Sequence, residues 1–447
     1  MSHYKPYPAY RDSGVEWIGL VPEHWEVKRL RHVASFKNSN VDKKAYDGQE
    51  AVSLCNYTDV YYNEFITPDL PFMQATASAA EIEQFALSKG DVIITKDSED
   101  PSDIGIPALV KDDLPGVICG YHLTMIRGAD FDTSRLLHRI LQSNPTQAHF
   151  FVEAPGITRY GLSQDAIGDL PFNFPPEKER NGIANAVDRE TTRIDAMITK
   201  KTRFIELLKE KRQALITHAV TKGLNPDATM RESGVEWIGN VPEHWAVCKL
   251  SYRYSVELGK MLDEKRITGD HPVPYLRNKD VQWGEIKITD LPVMDISPDE
   301  IERYTIKNGD LLVCEGGDVG RAAIWRGDNN AIGYQKALHR LRSVSPDKDS
   351  VEFFAYVLGA AKRNGVFEES DTKSTISHLP AEKFREYRFA FPPLTEQAEI
   401  VASLNRDTAR IDLLTEKTQR SIDLLKERRA AFITAAVTGQ IDLRESA

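Results

Sequence analysis

Cysteine is scarce in this chain of 447 residues: Cys55, Cys119, Cys248 and Cys314 stand far apart, with no CxxC pair and no neighbouring histidine cluster. That pattern argues against a disulfide scaffold and gives no thiolate metal site, so reduced, structural thiols in a cytoplasm are expected. Long apolar runs are missing too. None approaches the roughly 18 residues a membrane helix needs, and the polar opening MSHYKPYPAYRDSG lacks the apolar core of a signal peptide. Positive charge is in deficit, and the formal net charge of −10 argues against a bulk polyanion binder. Catalytic signatures are lacking as well: there is no GxxxxGK[ST] phosphate loop, no GxGxxG turn and no HExxH metal helix. FPP occurs twice, but never the NPP-aromatic motif that amino-methyltransferases use against a target base. The chain is expected to supply no catalytic residue, no metal ligand and no cofactor of its own.

What is present is a duplication. Fifteen of twenty positions are identical between RDSGVEWIGLVPEHWEVKRL (Arg11–Leu30) and RESGVEWIGNVPEHWAVCKL (Arg231–Leu250). Trp17, Trp25, Trp237 and Trp245 are fixed in both copies, and so are His24 and His244. A catalytic role would have to operate twice in stretches that look like framework, so a turn with its tryptophan packed on the domain is the favoured reading. A second pair, offset by 217, starts at Phe172 and Phe389 and shares FPP, RID, the LLKE run and IT followed by AVT. The final Arg444-Glu445-Ser446 repeats Arg231-Glu232-Ser233, as though a third copy were starting. A chain cut at equivalent points of two periods could fold with pseudo-twofold symmetry, its ends meeting the internal junction.

Both segments after FPP predict helices. Two prolines suit a helix entrance, and Thr395 is placed to cap the second. In the first, Thr191, Ile194, Ile198, Ile205, Leu208, Leu215 and Ala219 fall at alternating steps of three and four, skipping Lys201 and Arg212. In the second, Thr408, Ile411, Thr415, Thr418, Ile422, Leu425, Phe432 and Ala436 do the same. That is a coiled-coil seam, predicting two helices of about 60 Å each that pair antiparallel. Residues Glu177–Lys222 carry eleven Lys/Arg against seven Asp/Glu, a local excess that eases the objection from net acidity. Between opening motif and FPP the chain looks mixed and β-rich. LSKGDVIITK (Leu87–Lys96) and IKNGDLLVCEGG (Ile306–Gly317) share a Gly-Asp turn followed by a strand, and VICGYHLTMIRG loosely matches AIGYQKALHRLRS. Elsewhere the two regions hardly match. Framework kept and contents replaced is the pattern of two readers on one scaffold.

Opening motif, variable domain, FPPLTEQAEIV-type helix, and then the same again: this order resembles the specificity (S) subunit of type I restriction-modification systems, over essentially the whole chain. The first copy departs in reading FPPEKER, with Glu179-Arg180 where Glu396-Gln397 stand in the second. The resemblance implies an α+β fold. It would have two mixed α/β target recognition domains with pseudo-twofold symmetry, joined by two long antiparallel coiled-coil helices. The expected divisions are 1–176 and 223–392 for the recognition domains, 177–222 and 393–440 for the spacer helices, and 441–447 for a tail. It also implies a non-catalytic, cytoplasmic prokaryotic protein that reads a bipartite target in double-stranded DNA. Its partners would be two methyltransferase (M) subunits and, where present, two restriction (R) subunits. S-adenosylmethionine, ATP and Mg would belong to those partners.

Cations next to hydroxyls are the residue types that hold phosphate oxygens. TRYGLSQ and DTKSTIS occupy similar places before each FPP, which makes Arg159, Tyr160, Ser163, Lys373, Ser374 and Thr375 the leading DNA-contact candidates. Lys96, His122, Arg321, Lys336 and Arg340, near the Gly-Asp strands, form a second set. The basic helix residues Lys200, Lys201, Arg203, Lys209, Lys211 and Arg212 read more readily as a solvated face. The alternative for the whole chain is a coiled-coil adaptor that binds only proteins, which sequence-specific retention of duplex DNA would exclude. An enzyme with unrecognised motifs is a third reading, which methylation by the isolated chain would revive.

Overall fold

The computed structural model describes residues 4–262, 268–327, 331–368 and 378–444. It divides into two compact units, Met1–Thr202 with Gln419–Ala447, and Arg203–Thr418. Each unit therefore holds one opening motif, one variable region, part of the helix that follows it and part of the other long helix.

In the first unit the opening motif forms an antiparallel pair, Tyr10–Asp12 against Leu20–Pro22. Arg11 reaches back to donate Nη2–H to the Trp25 carbonyl at 2.7 Å. Strand Glu26–Arg29 then pairs with Pro171–Phe174. Pro175 and Pro176 end that strand, since proline has no N–H to continue a ladder, and helix Glu177–Lys222 starts directly after them. The second unit repeats each step. Met230–Glu232 pairs with Asn240–Pro242, Arg231 Nη2–H donates to the Trp245 carbonyl at 2.6 Å, and Ala246–Lys249 pairs with Arg388–Phe391 ahead of helix Leu394–Val437. That helix begins one residue before Thr395, which corrects the expected cap: Thr395 lies within the first turn.

Trp25 and Trp245 are each about 1% exposed. Each indole must find an acceptor once buried. Trp25 Nε1–H donates to Glu179 at 3.0 Å, and Trp245 Nε1–H donates to Glu396 at 3.1 Å. His24 and His244 each lie 2.7 Å from the second oxygen of the same carboxylate. The repeated PEHW thus grips the first turn of the long helix that follows the variable region, where a carboxylate also suits the helix dipole.

The end of the other long helix meets the same tryptophan. At Gly439, with φ +74°, a Cβ would come within 2.5 Å of Pro22 and 3.3 Å of the Trp25 ring. At Gly223, with φ +75°, it would come within 3.2 Å of the Trp245 ring and 3.1 Å of Glu396. Glycine is required twice over, by the left-handed backbone and by the close approach. The chain's ends lie together in the first unit: Tyr10 Oη–H donates to the Gly439 carbonyl at 2.9 Å, and Asp442 N–H donates to the Lys5 carbonyl at 2.7 Å.

The first variable region holds a five-stranded sheet, in the order Ala34–Asn38, Leu123–Gly128, Asp91–Thr95, Pro107–Val110, Phe65–Ile66. Beside it lies a three-stranded sheet, Val117–Cys119, Glu50–Cys55, Met73–Ala77. The second has four strands, Tyr254–Leu258, Leu338–Ser343, Leu311–Cys314, Ala322–Ile324, and three more, Val293–Asp295, Pro272–Leu276, Gly333–Tyr334. Cys55, Cys119 and Cys314 are buried, Cys248 half-buried, and all four are free thiols.

Within each unit the long helices run antiparallel. In the first, Ile183 and Val187 share a core with Phe432, Ile433 and Val437, while Arg429 bonds Asp195 at 2.9 Å. In the second, Ile216 and Val220 share a core with Ile400 and Leu404, while Arg212 bonds Asp412 at 3.0 Å. Of the seam residues, Ile194, Ile205, Leu208, Ile411, Ile422 and Phe432 are buried; Ile198, Leu215 and Leu425 are half-buried. Near the end of the first helix Ile216 takes the buried place that a strict heptad gives Leu215. A straight helix drifts about 20° per heptad away from a 3.5-residue repeat, which is enough to hand the core face to the next residue. Threonines tolerate the seam because their hydroxyls bond back along their own helix, as Thr408 does to the Leu404 carbonyl at 2.7 Å and Thr418 to Leu414 at 2.7 Å.

Candidate nucleic-acid interface

The Gly-Asp words turn out to be scaffold. Asp91 is 1% exposed; it accepts Ser88 N–H at 2.8 Å and Arg127 Nε–H and Nη2–H at 2.6 and 2.7 Å. Asp310, equally buried, accepts Lys307 N–H at 2.7 Å and Arg342 Nε–H and Nη2–H at 2.7 and 2.6 Å. A buried carboxylate needs such full pairing. The turn glycines, Gly90 and Gly309, have φ of +95° and +89°. A second shared element went unread in the sequence. Asp59 of NYTDV and Asp280 of RNKDV each accept a backbone N–H three residues upstream, from Asn56 and Arg277, both at 2.7 Å.

At the far end of strand Asp91–Thr95 the backbone pattern still repeats, with Glu315 N–H donating to the Ala337 carbonyl at 3.0 Å and the Glu315 carbonyl accepting Leu379 N–H at 2.8 Å, and it is the side chains that part. Lys96 N–H donates to the His122 carbonyl at 2.8 Å, and the Lys96 carbonyl accepts Leu162 N–H at 2.9 Å. Asp97–Ser98 pairs with Tyr160–Gly161. Three distant segments are knitted together here, and they bring Lys96, His122 and Arg159 around one carboxylate. Asp97, with 13% of its side chain exposed, accepts Arg159 Nε–H and Nη2–H at 3.0 and 2.6 Å. His122 Nδ1 lies 2.5 Å from Asp97, and Lys96 Nζ 3.5 Å from it. His122 holds φ +73°, a conformation few non-glycine residues adopt. Burial, assisted by Arg159, lowers its pKa against the pull of Asp97. Tyr121, half-exposed, sits 4.0 Å from the His122 ring, with Lys96 Nζ 5.1 Å from its own ring. Nearby, Tyr57 and Tyr61 stack at 5.7 Å, and Tyr62 is 76% exposed. Aromatic faces beside cations are the composition of a nucleic-acid surface.

Not every candidate reaches that surface. The Tyr160 ring packs against the core. Ser163 Oγ accepts Ala166 N–H at 3.0 Å, which makes it the cap of helix Gln164–Gly168. In the second unit Arg340 must be corrected: it is 5% exposed, and its Nη1 donates to the carbonyls of Glu302, Arg303 and Thr305. It satisfies interior backbone and is not available to DNA. Arg321, half-buried, donates Nη2–H to the Asn278 carbonyl and Oδ1 at 3.0 and 2.9 Å, locking a loop. Lys336 is exposed. Lys373, Ser374 and Thr375 lie outside the described residues. On the helices, Arg203 pairs with Glu206 at 2.8 Å and Arg212 with Asp412, so both cations are already engaged.

Asp97 is the residue that sequence reasoning missed. One aspartate in the acidic stretch DSEDPSD carries no signal by itself; only its place at the end of a strand whose start is repeated and whose end is not could have marked it. Among the described residues, no cluster of His, Cys, Asp and Glu could hold a metal ion, and no helix is long and apolar enough to cross a membrane.

Comparison with known proteins accords with this architecture. Residues 242–422 match the family model described as the Type I restriction modification DNA specificity domain. Over 446 residues the chain is 21% identical to the specificity subunit of the EcoKI type I restriction enzyme from Escherichia coli strain K12, covering 95% of this chain and 90% of that protein. Its fold is similar to a chain from a structure of the type I R-M system, with a TM-score of 0.72 and 17% identity over 94% of this chain and 99% of that one. It is similar also to the HsdS subunit from Thermoanaerobacter tengcongensis, with a TM-score of 0.56 and 17% identity over 94% and 98%. The fold and the repeated clasps define a doubled scaffold of the kind seen in those structures. Over nearly its whole length the chain is similar to the specificity subunits of type I restriction-modification systems.

Proposed function

We infer that this chain is the non-catalytic reader of a type I restriction-modification complex and that each variable region reads one half of a bipartite DNA target. The observation that carries the reading is that the two units share the Trp–Glu clasp, the Asp–Arg clamp and the position of the helix entrance, yet differ at the strand ends, where Lys96, Asp97, His122 and Arg159 gather in the first. Half-sites read from one side of a duplex lie about one helical turn, 34–36 Å, apart. A paired helix can hold such a spacing and a flexible linker cannot, so the long helices are assigned the roles of ruler and docking surface for two methyltransferase subunits. Affinity would come from phosphate contacts by local Lys/Arg, with the partners adding more. S-adenosylmethionine, ATP and Mg are assigned to those partners, restriction subunits among them where present; this chain binds none. The recognition domains are assigned to 1–176 and 223–392, the spacer helices to 177–222 and 393–440, and the tail to 441–447.

Replacing Leu30–Ile157 by another family member's first variable region tests this. Genome-wide mapping of methylated adenines should show one half of the recognised sequence changed and the other kept. Change in both halves together, or in neither, would refute two independent readers.

A further inference from the structure

The cluster around Asp97 differs in kind from a phosphate grip. We propose that Arg159, held in plane by Asp97, reads a guanine edge in the half-site served by the first unit, and that Asp97 is its positioning residue. This rests on the DNA-reading function proposed above and specifies its chemistry.

Three observations lead there. The first is position. The buried clamps Asp91–Arg127 and Asp310–Arg342 are the same in both units, but five residues further along each strand Lys96-Asp97 gives way to Glu315-Gly316. A group needed by the scaffold would appear in both; one present only in the first serves what the first does alone. The second is charge. Asp97 pairs closely with Arg159, at 2.6 Å, and more loosely with Lys96, at 3.5 Å, so the cluster's excess positive charge falls to Lys96 and Arg159 is the weaker phosphate ligand of the two. What remains is a donor group of fixed direction. The third is geometry. Asp97 occupies Nε and Nη2 while 55% of the Arg159 side chain stays exposed, and among the described residues Nη1 has no partner. The N–H bonds of Nη1 are what remains to donate, and guanine, with the acceptors N7 and O6 on its major-groove edge, is the base that arginine most commonly reads. His122, against the same Nη2 at 2.7 Å in its left-handed conformation, flanks the guanidinium on that side. Strained residues of that kind persist where surrounding structure holds them for a purpose.

The test is selection from a random-sequence duplex library by the full chain assembled with its methyltransferase subunits. Wild type is compared with Arg159→Ala, Arg159→Lys, Asp97→Asn and Asp97→Ala. The expected result is a wild-type consensus with a G·C pair in one half that relaxes to any base in Arg159→Ala. Preference there should fall roughly tenfold to a hundredfold while the other half is unchanged. Arg159→Lys and Asp97→Ala should relax the same position in part, and Asp97→Asn less than Asp97→Ala. Uniform weakening over all sequences, with a shallower salt dependence, would show a phosphate contact and overturn the proposal. An unchanged consensus in Arg159→Ala would overturn it as well. Should the wild type return no consensus at all, the DNA-reading function itself fails, an outcome separate from both. Arg159 is exposed, so unaltered thermal unfolding of its variants is expected and verifies that the fold is kept.

Discussion

Glu179 and Glu396 each turn a repeated word of sequence into a joint. Glu179 takes the Trp25 indole, His24 and, at 3.2 Å, the Tyr7 hydroxyl; Glu396 takes the Trp245 indole and His244. Removing an acceptor strands a buried donor at a cost of about 1–3 kcal/mol. Glu179→Ala should therefore lower the unfolding midpoint of its unit by several degrees, given about 2–4 °C per kcal/mol for a unit of this size. Glu396→Ala should cost somewhat less, because Tyr7 has no counterpart there, and Glu179→Gln less than Glu179→Ala. Scanning calorimetry of the full chain checks the order, and equal midpoints for Glu179→Ala and wild type would exclude the joint. The sequence displayed PEHW as framework but gave the glutamates no prominence, since a carboxylate in a first helical turn is common. Arg340 shows the opposite failure. An arginine in an alternating strand pattern looks the same whether its guanidinium meets solvent or, as here, three interior carbonyls.

The long helices were the most legible elements, because a stripe of period 3.5 needs only spacing to be seen. Their cross-links were less so, although the shared word RID contains them. Asp195 and Asp412 close that word in each copy, and each meets an arginine from the opposite helix, Arg429 and Arg212. The two bridges should differ in strength. Arg212–Asp412 is exposed, with 39% and 57% of the side chains in solvent, and such a pair is worth about 0–1 kcal/mol. Arg429 is 18% exposed and bonds both Asp195 and Glu64. Burial pushes the Glu64 carboxyl up, but Arg139 and Arg429 outweigh that and leave it below its ordinary value. Arg429→Ala leaves the carboxylates of Glu64 and Asp195 short of a partner, although Glu64 keeps Arg139, and should cost about 1–3 kcal/mol, the range for a largely buried polar group that loses a partner. Arg212→Ala should cost under about 1 kcal/mol. Equal losses in chemical denaturation would mean that Glu64 does not anchor the helix.

For the whole molecule, the ruler is the property most open to a decisive experiment. The unit boundaries fall after Thr202 and after Thr418, so a seven-residue insertion after Lys201 and another after Thr418 leave the contacts inside each unit essentially intact. Seven residues return every seam side chain to its face. At 1.5 Å per residue the insertions add about 10.5 Å between the readers, or about three base pairs of spacer at roughly 3.4 Å each. Three pairs also rotate the second half-site by roughly 100°, given about 10.5 pairs per turn. Twisting and bending the duplex can absorb some of that for a few kcal/mol. The expected outcome is methylation at sites with a longer spacer, or a sharp loss of activity, with both half-sites unchanged in either case. Adenine-methylation mapping on the insertion mutant distinguishes them. Full activity at the original spacing would show that something other than these helices sets the distance. That the duplication was visible from the chain alone, while the gathering of Arg159 and His122 around Asp97 was not, has one physical cause. Scaffold positions repeat because both units solve the same packing problem, whereas the proposed reader of the first unit gathers Asp97, His122 and Arg159 from segments remote in sequence, and Gly316 stands where Asp97 would in the second.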